Sequence, residues 1–156
     1  MKQTIMGLLA LMIAMLLSLN VQRASLSAKR HVIDTEMETI AAGVALEMLD
    51  YAGSKPFDAA TAIGTVDNAD ELTPLPFSTG GTYDEADDLD DFHQIQPHTL
   101  SVFGFDFEIT CTVAYVDATD PEVVATSQTF AKKIIVTVSH ELLQMPVQIS
   151  RVYTYP

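Results

Sequence analysis

The spacing of apolar residues along the chain changes twice, and each change predicts a different element. Residues 5–17 carry no polar side chain, and Leu19 and Val21 extend the apolar run past Ser18 and Asn20. From Ile33 the apolar residues fall at Ile33, Met37, Ile40, Val44, Met48 and Tyr51, in steps of three and four that keep one face of a helix. Asp34, Glu36, Glu38, Glu47 and Asp50 occupy the opposite face. No proline precedes Pro56, and Gly7 and Gly43 are the only glycines before Gly53, so run and stripe are predicted to form one helix from about residue 2 to 52. At 1.5 Å per residue it would be roughly 75 Å long. Ala52-Gly53-Ser54-Lys55-Pro56 supplies the stop, because glycine accepts a left-handed conformation and proline cannot continue the hydrogen-bond ladder.

The second change comes after His98, where the period becomes two. Phe103, Phe105, Phe107, Ile109, Cys111, Val113 and Tyr115 alternate with smaller or polar residues and predict a half-buried strand. Beyond the Asp117-Ala118-Thr119-Asp120-Pro121-Glu122 turn, Phe130, Ile134, Val136 and Val138 predict a second strand with Thr137 and Ser139 outside. Met145, Val147 and Ile149 begin a third that ends in Arg151-Val152-Tyr153-Thr154-Tyr155. The expected fold is α+β, a long N-terminal helix packed on a small antiparallel sheet of three or four strands. The expected organisation is a helix over 1–53, with an apolar anchor or filament-core segment 1–22 and an amphipathic segment 23–53, followed by an acidic loop and β domain over 54–156. Between Pro56 and His98 the residues predict a long surface loop with one short helix near Asp58 to Ile63.

The apolar opening fits neither of its two commonest uses. A single Lys2 before an apolar run has the form of a secretory signal, but small residues at cleavage spacing are weak near Asn20 and next occur at Ser25-Leu26-Ser27, beyond Arg23. A plain spanning helix needs about 20 apolar residues, and the run is shorter. A helix apolar on every side must instead be buried by lipid or by copies of itself. The expected assembly interface is Ile5, Leu8, Leu9, Met12, Ile13, Leu16, Leu17 and Leu19.

Charge narrows the partners. The 156 residues are 48% hydrophobic yet carry a net charge of −13, so the two characters are segregated. Residues 53–98 hold Asp58, Asp67, Asp70, Glu71, Asp84, Glu85, Asp87, Asp88, Asp90 and Asp91 against one basic residue, Lys55. Nucleic acid is excluded as a partner, because affinity for phosphate backbones depends on Lys and Arg displacing counterions. Cys111 is the only cysteine, so no intramolecular disulfide and no cysteine-based zinc site can form, and its place on the apolar side of a strand reads as an inert buried thiol.

Candidate chemistry is sparse. Asp84, Asp87, Asp88, Asp90 and Asp91 could gather oxygens for Ca²⁺, although no glycine and no closing Glu stand where an EF-hand needs them; a solvated acidic loop is the commoner use of such a run. His31, His93, His98 and His140 show no metal spacing, and no cofactor is expected. Ser139-His140-Glu141 resembles a triad only in order, since adjacent strand residues point to opposite faces. No enzyme is expected.

The order of these segments, an apolar run opening a helix of about 50 residues, then an acidic loop, then an antiparallel sheet, resembles the type IV pilin superfamily over the whole chain. Asp87-Asp88-Leu89-Asp90-Asp91-Phe92-His93 is similar to the Asp-rich loop of some minor pilins, and Lys132-Lys133-Ile134-Ile135-Val136-Thr137-Val138 with Ser150-Arg151-Val152-Tyr153 to their closing strands. The resemblance implies a subunit held first in the inner membrane and then packed with copies of itself in a helical filament, with the β domain displayed at the cell surface. The chain departs from the family at Ile5, where the mature subunit has Glu, and in lacking the mid-helix proline. The alternatives are a membrane-anchored pseudopilin or accessory subunit of a secretion or envelope complex, and a signal-anchored extracytoplasmic module that binds Ca²⁺ or another ligand.

Overall fold

The computed structural model describes the backbone of residues 2–156, and the side chains of residues 6, 7 and 11 onward. Helix α1 runs unbroken over Lys2–Gly53. The chain divides into two compact units, one ending at Met37 and the other spanning Glu38–Pro156.

The first unit is helix, and its described large apolar side chains as far as Ile33 face outward. Leu11, Met12, Ile13, Met15, Leu16, Leu17, Leu19, Val21, Leu26, Val32 and Ile33 are each between 50% and 69% exposed. Ile33 therefore does not belong to a covered stripe, as its spacing suggests. Helical spacing reports which residues share a face and not how far along that face the cover extends.

In the second unit the end of α1 buries one side against a sheet. Ala41, Val44, Ala45, Met48, Leu49 and Ala52 are buried, whereas Tyr51 is only half-buried. The stripe thus takes in alanines and Leu49 beyond the residues spaced from Ile40, a face wider than a strict two-position seam. Tyr153 Oη donates to the Leu49 carbonyl at 2.5 Å and Arg151 donates to Asp50 at 2.6 Å, fixing the helix end to the last strand. Gly53 lies so near Tyr153 that an added Cβ would meet the ring at 2.7 Å.

Four strands follow: β1 His98–Val102, β2 Phe105–Tyr115, β3 Ala131–Ser139 and β4 Val147–Thr154. They form one antiparallel sheet in the order β1-β2-β3-β4. Phe103 is not an inward strand position: with Gly104 it makes the two-residue hairpin loop between β1 and β2, both at positive φ (52° and 85°), and it is 85% exposed. Two residues at positive φ match the twist of the flanking strands. Inward burial begins at Phe107 and continues through Ile109, Cys111, Val113 and Tyr115. Ile134, Val136 and Val138 face the same way from β3, Phe130 precedes that strand, and Met145 lies outside β4 with its side chain exposed.

The segment between helix and sheet is not a solvated loop. It contains α2 Ala59–Ile63 and three 3₁₀ turns at Ala69–Glu71, Tyr83–Glu85 and Asp90–Phe92. Leu72, Phe77, Leu89 and Phe92 are buried. Backbone bonds tie the segment down, from Gln94 N to the Cys111 carbonyl at 2.9 Å and from Leu89 N to the Pro56 carbonyl at 3.1 Å. The acidic residues therefore ride on a lid of core side chains, an outcome that local charge density conceals.

Candidate functional site

Two features stand out once the fold is in place: the uncovered apolar surface of the first unit and a buried charge cluster in the second. On the helix, Met12, Ile13, Leu16, Leu17 and Leu19 are all at least half exposed. Ile5, Leu8 and Leu9, expected with them, lie outside the described side chains. Successive helical residues are rotated by about 100°, so the exposed run from Leu11 to Leu19 covers the whole circumference and not a stripe. The helix is long and apolar enough to cross a membrane by length and composition, with none of the qualifying window buried. Burial of apolar area is favourable by about 25 cal/mol per Å², so such a surface favours a membrane or another chain over water.

The buried cluster centres on Lys132 of β3, whose side chain is 0% exposed. Strand parity puts it there: Lys132 is two residues before Ile134, and it lies between Tyr115 and Tyr153 in the sheet register. Its ammonium donates to the Phe57 carbonyl at 2.7 Å, to Asp58 Oδ2 at 2.9 Å and to Asp90 Oδ1. Three protons meet three acceptors. The rings of Phe57, Tyr115 and Phe77 surround the nitrogen at 4.6, 5.2 and 5.7 Å from their centroids. An ammonium without water tolerates such a place only when every proton is bonded and charge is balanced nearby.

The two carboxylates are prepared differently. Asp58 caps α2, with Oδ1 accepting from Ala60 N at 3.1 Å and Oδ2 accepting from Thr73 N at 3.0 Å and lying 3.4 Å from the Tyr115 hydroxyl. Burial opposes its ionisation, but the bonds from Lys132, Thr73 and Ala60 outweigh it and hold the carboxyl below its usual pKa. Asp90 sits beside Asp88, which is pushed up to about 7 by burial first and then by the charges of Asp90 and Asp91. Burial, reinforced by the Asp58 and Asp90 charges, also raises Tyr115, so its phenol remains a donor, bonded to the Thr73 carbonyl at 2.9 Å.

The residues considered for Ca²⁺ do not converge on one point. Asp84 and Asp87 are exposed. Asp88 Oδ1 accepts from Asp90 N and Asp91 N, Asp91 Oδ2 accepts from Asp87 N and Asp88 N, and Asp90 turns to Lys132. Among the described residues, no group of three or more His, Cys, Asp or Glu is placed to hold a metal ion.

Ser139, His140 and Glu141 line an open groove of about 790 Å³ with Phe105, Asp106 and Glu108. Ser139 Oγ donates to the Glu108 carbonyl at 3.4 Å, and His140 Nδ1 accepts from Leu142 N at 3.0 Å while its ring packs on Phe107. No Ser to His relay is formed. Burial pushes the Cys111 thiol up to about 12, in keeping with its inward place on β2. Comparison with known protein families, with curated proteins and with solved structures gives no match to this chain.

Proposed function

We propose that the chain is the structural subunit of a type IV pilus-like extracellular filament, with the apolar part of α1 in the filament core and the β unit outside. The reading rests on one observation: apolar side chains from Leu11 to Leu19 are exposed on all sides of the helix. A stripe would suit one partner, whereas a full circumference suits a bundle of like helices or a lipid phase. The second unit carries the acidic surface that keeps displayed domains apart and soluble. No catalytic role is proposed for it; its polar clusters are satisfied internally, and among the described residues no buried side-chain nitrogen or oxygen lacks a partner.

The second reading is a membrane-anchored pseudopilin or accessory subunit, favoured by the same helix being long enough to span a bilayer. Electron microscopy of the chain released from membranes separates the two. Thin fibres with bundled helices inside support the filament, and a discrete complex of fixed stoichiometry or detergent-dispersed monomers overturns it. Leu16→Lys should abolish fibres while leaving the fold of the second unit unchanged by circular dichroism, since a charge at the centre of an apolar helix costs about 2.5–3.5 kcal/mol in a bilayer.

A further inference from the structure

We propose that Lys132 and Asp90 close an intramolecular amide bond, with Asp58 as the base that frees the amine and with the loss of one water. Geometry supplies every participant. The Lys132 nitrogen is fully enclosed and hydrogen-bonded to Asp90 Oδ1, and the two residues lie 42 positions apart in sequence. The side chains of Asp58 and Asp90 are 1% and 7% exposed, and the rings of Phe57, Tyr115 and Phe77 close over the nitrogen.

The roles of the two aspartates follow from their partners. Asp58 receives hydrogen bonds from Ala60 N, Thr73 N and Lys132, which hold it as the anion and make it the proton acceptor. Asp90 Oδ1 accepts directly from the Lys132 ammonium, whereas both oxygens of Asp58 are also engaged by backbone N–H donors of Ala60 and Thr73. Asp90 is therefore the carboxyl that presents its carbon to the amine. Asp91 lies outside this exchange, its Oδ2 occupied by the backbone of Asp87 and Asp88.

The step balances within the cluster. Asp58 takes one proton from the Lys132 ammonium, and the freed lone pair attacks Asp90 Cγ to form the C–N bond. The tetrahedral carbon then loses one oxygen, which leaves as water with the proton returned by Asp58 and a second proton from the nitrogen. The third proton remains on the amide, and Asp58 ends as the anion it was at the start. Nothing is oxidised or reduced. Holding the two groups in contact replaces a bimolecular encounter by an effective concentration that reaches about 10⁵–10⁸ M in well-aligned pairs, and exclusion of water disfavours the reverse hydrolysis. The product would staple the Asp90–Phe92 turn to β3 in a chain whose single cysteine cannot make a disulfide.

Intact mass spectrometry of the denatured full-length chain tests this directly. The expected mass is one water below that of the sequence, and proteolysis should give a branched peptide joining the segment containing Asp90 to the one containing Lys132. Lys132→Arg keeps the cation but not the nucleophile and should restore the full mass. Asp90→Asn should still close the bond, with loss of ammonia in place of water, an outcome that a purely ionic contact does not produce. The full sequence mass in the wild-type chain after prolonged incubation at neutral pH overturns the proposal, and needs no variant to fold. A branched peptide at Asp58 overturns the assignment of roles.

Discussion

Two stretches of the same helix meet opposite fates. Between Leu11 and Leu19 nearly every residue is apolar and each described large side chain is at least half exposed; between Ala41 and Ala52 one side carries Ala41, Val44, Ala45, Met48, Leu49 and Ala52, all buried, while Leu46 stays exposed. Both stretches are regular helix. The difference lies in what covers them, and it teaches that an amphipathic helix finds its complement within its own chain while an apolar one needs material from outside. Small residues belong to the covered stretch: Ala41, Ala45 and Ala52 are fully or almost fully buried, and Tyr153 reaches the Leu49 carbonyl from β4.

The largest expected effect is in the covered unit. Lys132→Met leaves Asp58 and Asp90 buried without their cation and should lower stability by about 3–5 kcal/mol, read from urea denaturation of the detergent-dispersed full chain. Next comes a matched pair along the helix. Leu49→Ala, at a side chain with no exposure, should cost about 2–5 kcal/mol. Leu17→Ala in the same dispersed chain should change stability by no more than about 0.5 kcal/mol. Equal losses at the two positions would break the comparison, because they would mean that Leu17 too is covered within its own chain.

A smaller effect is expected at Cys111. Its thiol is held near 12 by burial against an ordinary 9.0, so alkylation of the folded chain at pH 8 should be slower than that of the unfolded chain by about 100-fold or more. The sign for stability follows. Below the unfolded value both states hold the proton and the contribution is intact; as pH rises from about 9 towards 12 the unfolded state alone ionises, and stability falls. Rapid labelling at pH 8 without unfolding would place Cys111 outside the core. The smallest effect belongs to the neighbouring lysine. Lys133 pairs at 2.7 Å with Glu122, whose side chain is 84% exposed, and Lys133→Ala should cost less than about 1 kcal/mol. Two adjacent lysines thus report the difference between a charge in water and a charge in the core.

Much of the fold was legible because periodicity is a local property. Phe107 to Tyr115 alternate in sequence and alternate in burial, and α2 falls where the segment from Asp58 to Ile63 indicated. The misplacements occur where a local pattern runs past its element. Phe103 continues the alternation but sits in the turn that Gly104 permits, and Met145 precedes β4 without joining it. Strand β1 carries too few apolar residues to announce itself and owes its place to pairing with β2. The buried cluster had one signal in the sequence, the parity of Lys132 with Ile134, Val136 and Val138, and the doubled Lys132-Lys133 reads by composition as a solvated pair.

The sequence by itself determined the helix, its uninterrupted length, the apolar opening and the alternation of the long strand, because each depends on residues within a few positions of one another. The tertiary structure alone decided which carboxylates meet Lys132 and which of the acidic residues are buried. Asp58, Asp90 and Lys132 are separated by tens of residues, and their charges become a site only when β3 and the folded acidic segment exclude the water that would otherwise screen each of them separately.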